Sequence, residues 1–246
     1  MGYRRAARPA ADAAWNVAPR RFRGGVGWCD NAGMPREREP DDAAAAAVTS
    51  AAAFVALVAG RRGHFRLESG HHGGLWLDLD PLFAVPARVA PFVEALAAGL
   101  APHAPDIVCG PLLGGAFLAQ LVALRLGVEL SFATRVMPAD AEGLYRARYV
   151  LPPALAARVR GKRVGMVDDV MSAGSALRGT YAELVAHGGV PVAAGALLVL
   201  GDKGAGYFAA HGVPVVAVAR DHYELWEAAD CPLCAAGRPL EDIAAG

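Results

Sequence analysis

The chain has 246 residues, of which 24 are Lys or Arg and 24 are Asp or Glu, so its formal net charge is zero. This length accommodates one large or two small domains with a buried core. With 54% hydrophobic residues, 29 Gly and 17 Pro, the composition excludes a disordered chain, a collagen and a disulfide-rich miniprotein. The balanced charge gives no reason to expect a nucleic-acid partner.

The first 40 residues differ from the rest of the chain. Positions 1–28 carry six Arg and one Asp, with no regular spacing of apolar side chains. Such a pattern is typical of a disordered tail, and we predict that residues 1–40 form a disordered Arg-rich extension. A targeting segment, a basic arm and a translation start at Met34 are the alternatives.

Residues 43–60 contain no charged side chain and are the candidate for a membrane span. Most of them are Ala, with Thr49 and Ser50 in the middle, so the free energy of membrane insertion is weak. An Asp at position 41 or 42 can cap a helix here, and Gly60 can end it. The pattern therefore predicts a helix over 42–59 and no association with a membrane.

Beyond residue 60, short apolar runs alternate with segments of helical pattern. Strands are predicted at 64–67, 75–79, 107–109, 128–133, 163–167, 192–200 and 213–218, and helices at 86–100, 116–126, 176–187 and 207–210. This alternation indicates an α/β fold with a mostly parallel central sheet flanked by helices. We assign residues 41–220 to this domain and residues 221–246 to a C-terminal tail.

Residues 163–176 combine an apolar strand, two adjacent carboxylates and a loop of small residues that leads into a helix. Asp168 and Asp169 can accept hydrogen bonds from neighbouring hydroxyls, such as those of a ribose. The small loop lets backbone N–H groups surround a phosphate, and the helix adds its positive N-terminal end. The loop consists of Ser172, Ala173, Gly174, Ser175 and Ala176. The segment therefore indicates a site for a ribose 5-phosphate.

A second loop of small residues lies between the strand at 107–109 and the helix at 116–126. From position 110 it reads Gly-Pro-Leu-Leu-Gly-Gly, and its glycines allow backbone amides to approach an anion. The candidate anion-binding residues are Pro111, Leu112, Leu113, Gly114 and Gly115.

These segments resemble the motifs of one enzyme family. Residues 167–175, Val-Asp-Asp-Val-Met-Ser-Ala-Gly-Ser, resemble the motif by which type I phosphoribosyltransferases bind phosphoribosyl diphosphate (PRPP). The loop at 110–115 is similar to the pyrophosphate-contacting loop of that family, and its Gly-Pro-Leu-Leu-Gly-Gly sequence most resembles the orotate phosphoribosyltransferase branch. Residues 65–70 and 75–79 are similar to the hood that covers the base in that branch.

The resemblance implies a Rossmann-like phosphoribosyltransferase fold with a small hood from the N-terminal region. It implies transfer of a 5-phosphoribosyl group from PRPP to a nucleobase, with orotate as the leading candidate and pyrophosphate as the leaving group. Mg²⁺, bound mainly through PRPP, and a homodimer are implied as well. Asp168 and Asp169 would hold the ribose, residues 172–176 the 5′-phosphate, and residues 111–115 the pyrophosphate.

The catalytic loop departs from the orotate branch, in which it reads Lys-x-x-Lys-x-His-Gly. Residues 135–143 supply only Arg135 together with two acids. Arg146 and Arg148 follow, and they would share one face of an extended segment. We expect these three arginines to replace the missing cations, and a solvated loop is the alternative.

The residues for the base depart as well. The resemblance places the base against His72, Leu75, Trp76 and Asp202. His72 stands where the family has a Lys, and a neutral His is a weaker partner for an anion. Asp202 stands where orotate enzymes place an Arg for the carboxylate of the base, which it would repel unless Lys203 compensates.

Two alternatives to orotate transfer stay open on the sequence. The first is a phosphoribosyltransferase for another base. The second is a PRPP-binding regulatory protein of the same fold without turnover, which the missing cationic loop favours. Against a regulator, residues 41–60 form no convincing helix-turn-helix.

Four cysteines in a chain without a secretory signal fit a reducing, cytoplasmic compartment. Cys231 and Cys234 form a single Cys-Pro-Leu-Cys pair. A zinc site usually needs four ligands, and we find no second pair at a matching spacing. His222 lies nearest in sequence and is a poor candidate. We therefore assign no metal to protein side chains, and a zinc ligand pair, a structural pair and a chance pair remain the possibilities.

Overall fold

The computed structural model describes residues 49–139 and 143–243, all of which lie within the compact unit Glu39–Gly246. The predicted extension at 1–40 lies outside these residues. The helices described are α1 (Ala51–Val55), α2 (Pro86–Leu100), α3 (Gly114–Leu126), α4 (Pro153–Ala156), α5 (Ser175–Ala186), α6 (Lys203–Ala210) and α7 (Pro232–Ala235). Within this part of the chain, no helix has the length and apolar character needed to cross a membrane.

The strands of the described residues form two sheets. They are β1 (Ala59–Arg66), β2 (His72–Asp78), β3 (Ile107–Pro111), β4 (Glu129–Val136), β5 (Arg148–Val150), β6 (Arg163–Met171), β7 (Val190–Leu200), β8 (Val215–Asp221), β9 (Leu225–Trp226) and β10 (Glu241–Asp242). The larger sheet has the order β5-β4-β3-β6-β7-β8, and all of its neighbours are parallel except β4 and β5. The predicted α/β fold with a mostly parallel sheet is confirmed.

Helices cover both faces of this central sheet. Val167 and Met166, which are adjacent in β6, belong to two different clusters of buried apolar side chains. Successive side chains of a strand point to opposite faces, so the two clusters lie on opposite sides. The cluster containing Val167 is completed by side chains of α2 and α3, and the cluster containing Met166 by side chains of α5 and α6.

Helix α2 shows how sequence pattern and burial agree. It begins with Pro86, whose fixed φ suits the first turn of a helix. Its buried side chains recur every three or four residues, as at Val89, Phe92, Leu96 and Leu100, and they face the core. Its observed bounds are those predicted from the sequence.

The smaller sheet, which we call the hood, has the order β10-β1-β2-β9. β1 and β2 form an antiparallel hairpin. β9 adds to β2 in antiparallel register, with His72 opposite Trp226, and β10 adds to β1 in parallel register, with Phe65 opposite Glu241. The segment assigned as a tail therefore contributes two strands to the hood.

The helix predicted at 42–59 and the strand predicted at 163–167 differ from the structure in their bounds. The part of the predicted helix at 42–48 lies outside the described residues. In the described part, α1 ends at Val55 and does not reach residue 59. β1 begins at Ala59, because the pairing of Ala59 with Asp78 in the hairpin prevails over the helix propensity of alanine. β6 extends to Met171 instead of ending at residue 167, because Asp168 and Met171 pair with β7.

Candidate active site

A cleft of about 260 Å³ lies where the carboxyl ends of β3, β6 and β7 meet the hood. This is the edge at which open α/β sheets bind ligands. The predicted site residues that line it are Leu75, Trp76, Pro111, Leu112, Leu113, Gly114, Gly115, Asp168, Asp169, Ser172, Gly174, Ser175 and Ala176. The structure thus brings the two loops and the paired carboxylates into one cavity.

Asp168 and Asp169 stand side by side near the end of β6. Asp169 is 8% exposed, and its Oδ1 accepts a hydrogen bond of 2.7 Å from the backbone N–H of Val170. Burial raises the pKa of Asp169 to about 6. Burial, together with the neighbouring charge of Asp169, raises the pKa of Asp168 well above its usual range. Burial therefore destabilises the ionised form of both carboxylates, and a ligand that donates hydroxyl hydrogen bonds to them would compensate for the lost solvation.

The loop after β6 is shaped by Gly174, which has a φ of 73° in the left-handed region that favours glycine. Helix α5 begins at Ser175, and no side chain caps its N-terminus. The N–H groups of its first turn lack partners within the helix, and they face the cleft beside Ser172. Ala173 is buried and does not line the cleft, so its role is to pack beneath the loop.

The loop after β3 lies against the carboxylate pair. A Cβ at Gly114 would overlap the carboxylate of Asp169, and one at Gly115 would crowd both Pro111 and Asp168. The peptide bond between Leu112 and Leu113 is cis. Only glycine lets the backbone of this loop approach the two aspartates so closely.

The charge of the cleft is negative. Among the described residues that line it, the charged side chains are Glu68, Asp168 and Asp169. Glu68 accepts a hydrogen bond of 2.8 Å from the hydroxyl of Tyr149, and Arg135 Nε lies 3.9 Å from Glu68 Oε1. The negative potential of these carboxylates favours an anionic ligand that binds together with a cation over an anion that binds alone.

The predicted cations are placed differently from one another. Arg135 lies at the edge of the cleft beside Glu68, and its Nε is buried without a hydrogen-bond partner among the described residues. Arg146 lines a neighbouring cleft instead, and Arg148 is exposed at the start of β5. The expectation that all three arginines serve one site needs correction. Arg135 pairs with Tyr149, and Arg148 pairs with the next residue, Val136, so Arg135 and Arg148 lie on opposite faces of the β4–β5 ladder.

Two of the predicted base contacts also need correction. His72 is 2% exposed and does not line the cleft, because its ring is turned to His64, with His72 Nδ1 at 3.1 Å from His64 Nε2. Asp202 is exposed at the start of α6 and lies outside the cleft as well. Exposed Lys203 does not turn inward either.

Several lining residues were missed from the sequence. Leu200 and Tyr223 occupy the wall where Asp202 was expected, and the Tyr223 hydroxyl donates a 2.8 Å hydrogen bond to the carbonyl of Leu75. Glu68 lies within the hood motif, which is the signal that could have identified it. Tyr223 follows β8 in a segment without a recognisable motif, so the sequence offered no comparable signal for it.

A cation stacks beside the loop that precedes β5. The Arg178 guanidinium lies 4.3 Å from the ring centres of both Tyr145 and Tyr207. The backbone N–H of Tyr145 donates a 2.9 Å hydrogen bond to the carbonyl of Ser69 in the hood. These contacts tie the loop to α5 and to the hood next to the cleft.

Comparison with known proteins identifies a family model that matches this chain. Residues 87–224 match the model of the phosphoribosyl transferase domain. An orotate phosphoribosyltransferase from Thermus thermophilus is 33% identical over 183 residues, which cover 74% of this chain and 92% of the relative. Another from Caldanaerobacter subterraneus is 28% identical over 179 residues, which cover 73% of this chain and 87% of the relative.

Solved structures share the fold. The orotate phosphoribosyltransferase of Aeropyrum pernix superposes with a TM-score of 0.54 at 23% identity, covering 70% of this chain and 93% of that one. The adenine phosphoribosyltransferase of Rhodothermus marinus superposes with a TM-score of 0.55 at 20% identity, covering 73% of this chain and 99% of that one. At identities of 23% and 20%, these structures support the fold assignment and do not indicate which base is bound.

Proposed function

This chain belongs to the phosphoribosyl transferase domain family, and from that premise we propose that it transfers the 5-phosphoribosyl group of PRPP to orotate. The bond between C1′ and the diphosphate oxygen breaks, and the diphosphate leaves with the bonding electrons. A ring nitrogen of the base forms the new bond to C1′ and loses its proton to solvent. The observation that carries the proposal is the meeting of Asp168 and Asp169 with the two small-residue loops in one cleft. Such a reaction belongs to pyrimidine nucleotide synthesis.

Each part of the cleft suits one part of PRPP. Asp168 and Asp169 accept hydrogen bonds from the ribose hydroxyls and stabilise the positive charge that develops at C1′. The uncapped first turn of α5, with Ser172 and Ser175, anchors the 5′-phosphate. The loop at 111–115 offers backbone amides to the diphosphate, since its glycines leave room for it.

The residues present fit the Mg²⁺ that the family implies. Three carboxylates and no cationic side chain line the described part of the cleft, so its field favours a divalent cation. Asp168 and Asp169 are the residues that would hold Mg²⁺, directly or through water, together with oxygens of PRPP. When bound, the ion neutralises part of the charge of the leaving diphosphate. Arg135 lies beside Glu68 at the edge of the cleft, and its Nε has no hydrogen-bond partner among the described residues, so we propose it as the protein cation that balances this charge.

Two observations support orotate as the base. The relatives from Thermus thermophilus and Caldanaerobacter subterraneus are named for orotate, and they align over most of this chain. Leu75, Trp76 and Tyr223 line the cleft together, the Tyr223 hydroxyl is fixed by its bond to the Leu75 carbonyl, and we propose that a flat pyrimidine ring packs against these side chains. We further propose a cytoplasmic location, in keeping with the free thiols of Cys109, Cys231 and Cys234. The family resemblance also leads us to propose a homodimer.

A base panel tests this proposal. The full chain, PRPP and Mg²⁺ are incubated with orotate, uracil, adenine or no base, and released pyrophosphate is measured. We expect release that depends on orotate. Release with adenine alone would keep the reaction and replace the base, whereas PRPP binding without release for any base would overturn the transfer reaction.

One observation favours a second candidate, a PRPP-binding regulator. The described residues that line the cleft include no Lys, Arg or His to balance a leaving diphosphate. A regulator needs to bind PRPP without promoting its departure. The same panel separates the two candidates, because a regulator binds PRPP and releases no pyrophosphate with any base.

A further inference from the structure

Four side chains outside the cleft converge on one point. His64 and His72 come from the two hairpin strands of the hood, and Cys231 and Cys234 come from the C-terminal segment. One nitrogen or sulfur atom from each lies within 4.8 Å of all the others. None of the four residues lines the cleft, so this cluster is separate from the site for PRPP.

Four of the six distances among these ligand atoms are close to those of a tetrahedral metal site. His64 Nε2 lies 3.1 Å from His72 Nδ1 and 3.4 Å from Cys231 Sγ. Cys234 Sγ lies 3.6 Å from His64 Nε2 and 3.3 Å from His72 Nδ1. Regular tetrahedral Zn²⁺ with ordinary bond lengths places two nitrogens about 3.3 Å apart and a nitrogen and a sulfur about 3.6 Å apart. The observed edges agree with these values to within a few tenths of an ångström.

The hydrogen bond of His64 fixes which of its nitrogens is free. His64 Nδ1 lies 2.9 Å from the carbonyl oxygen of Arg238, which can only accept, so Nδ1 carries the proton. Nε2 therefore presents a lone pair to the cluster. A backbone carbonyl that holds the second nitrogen of a ligating His is the usual outer partner in zinc sites.

Hydrogen bonding alone does not account for the cluster. The single lone pair of His64 Nε2 faces three neighbours, namely His72 Nδ1, Cys231 Sγ and Cys234 Sγ. One lone pair accepts one well-aligned hydrogen bond, so at most one of the three neighbours is satisfied in this way. A cation at the centre uses the lone pairs of all four groups at once.

We propose that His64 Nε2, His72 Nδ1, Cys231 Sγ and Cys234 Sγ bind one Zn²⁺. Both cysteines lose their thiol protons to solvent on binding, and the two thiolates balance the charge of the ion. Two imidazoles and two thiolates in a tetrahedron are a donor set typical of zinc. With four protein ligands the site has no open position, which makes it structural and not catalytic.

The local backbone supports this role for the cysteines. Cys231 caps α7, and the i, i+3 spacing places Cys234 one turn later. Gly237, with a φ of 65°, ends that turn and sends the chain back so that the Arg238 carbonyl reaches His64. His64, His72 and Cys231 are buried, while Cys234 is exposed, so the ion would sit beneath the surface of the hood.

The consequence of the bound ion is a fixed hood. Zn²⁺ would join β1 and β2 to the segment that carries β9 and β10, where short edge pairing and the exposed ion pairs Arg61–Glu241 and Arg66–Asp242 otherwise hold it. Tyr223, which leads into β9, lines the cleft. The ion therefore supports one wall of the cleft without touching the substrate.

Metal analysis of the full chain tests the proposal and does not depend on its enzymatic function. Protein purified without chelator is analysed by native mass spectrometry and elemental analysis, and we expect about one zinc per chain. Replacement of the zinc by Co²⁺ is expected to give the visible absorption of a tetrahedral site with two thiolates. Absence of zinc, together with no such absorption after Co²⁺ is added to reduced protein, would overturn the proposal.

Variants locate the ion. The pair Cys231→Ser and Cys234→Ser and the single change His64→Ala are expected to lower the zinc content to near zero. Cys109→Ala and His222→Ala remove a thiol and an imidazole outside the cluster, and they should retain zinc. If the Cys231→Ser, Cys234→Ser protein keeps its zinc, the ion lies elsewhere and the assignment is wrong. A disulfide between Cys231 and Cys234 in freshly purified protein, detected by mass and lost on reduction, would likewise overturn it.

Discussion

The loops of the cleft and the side chains of the hood cluster are assembled over very different distances along the chain. Residues 168–176 form one continuous stretch, in which a strand, a turn and a helix place carboxylates and amides side by side. In the hood, His64 meets the carbonyl of Arg238 across 174 positions. The first geometry follows from local rules of chain direction, whereas the second exists only once the whole domain has folded.

The two regions also differ in how their polar groups are satisfied. In the cleft, buried Asp169 lies beside half-buried Asp168, and the pKa values of both are raised, so the fold tolerates an unfavourable charge. In the hood cluster, four ligand atoms face one another and a single ion would satisfy all of them. On the proposals above, the cleft favours ligand binding over stability, whereas a bound ion would make the cluster stabilise the fold.

The largest effect is expected from removing the two charges of the cleft. Asp168→Asn with Asp169→Asn should weaken PRPP binding by about 10²–10⁴-fold, because two charge-assisted hydrogen bonds to the ribose are lost. Calorimetric titration with PRPP and Mg²⁺ measures this loss. The same variant should melt at a higher temperature than the parent at pH 7, because a buried charge pair is gone. An unchanged PRPP affinity would refute the ribose assignment.

The next largest effect should follow from filling the gap between loop and carboxylate. Gly114→Ala places a methyl group where the Asp169 carboxylate lies, so the loop or the carboxylate must move. We expect kcat/KM for PRPP to fall by about a hundredfold, because a small displacement of groups around the reacting atoms reduces the rate by about that factor. Gly206→Ala is the matched control, since a Cβ there meets nothing within 4 Å. Equal activity of both variants would show that the loop does not approach the ligand.

A smaller effect is expected at the wall that the sequence did not reveal. Tyr223→Phe removes the hydrogen bond to the Leu75 carbonyl and leaves the ring in place. The KM for the base should rise about fivefold, as the loss of about 1 kcal/mol implies, while the KM for PRPP stays the same. Tyr181→Phe, which changes a tyrosine outside the cleft, serves as the control in the same steady-state assay. A rise in the KM for PRPP alone would place Tyr223 against the other substrate.

The smallest effect concerns pH and stability. Because the pKa of Asp169 in the folded protein, about 6, exceeds its ordinary value of 3.8, the folded state binds this proton more tightly than the unfolded state. Protonation of Asp169 therefore raises the free energy of unfolding as the pH falls from 7 towards 4. The difference in melting temperature between the parent and the Asp168→Asn, Asp169→Asn variant should narrow over this range. A difference that widens at low pH would contradict the raised pKa.

The contrast between the regions explains what the sequence could predict. The central sheet, α2 and both loops of the cleft follow from apolar period, small residues and strand-to-helix transitions, all of which are local. The structure puts Asp168 and Asp169 at the end of β6 in the cleft for that reason, and their role towards the ribose stays a prediction. Base contacts at His72 and Asp202 were assigned by resemblance to residues of other chains, and the structure turns both away from the cleft.

The hood could not be predicted because its partners are far apart. Nothing around Cys231 and Cys234 indicates that His64 and His72 will face them, since a search for a second pair at zinc-finger spacing looks only nearby. β9 and β10 contain two residues each, which is too short for a strand pattern to be seen. Tyr223 was missed for the same reason, as it enters the cleft only through the pairing of β9 with β2.

The way β9 and β10 flank the hairpin sets the smallest piece of this chain that can fold. The match to the family ends at residue 224, before either strand begins. A chain cut at that point would leave β1 and β2 as a two-stranded ribbon with the backbone N–H and C=O groups of both edges bare, a form that is marginal in water and prone to pair with other chains. The match to the family also begins only at residue 87, after the hairpin, so the family domain and the unit that contains the hood have different boundaries. Expression of the chain truncated after residue 224 should therefore yield aggregates.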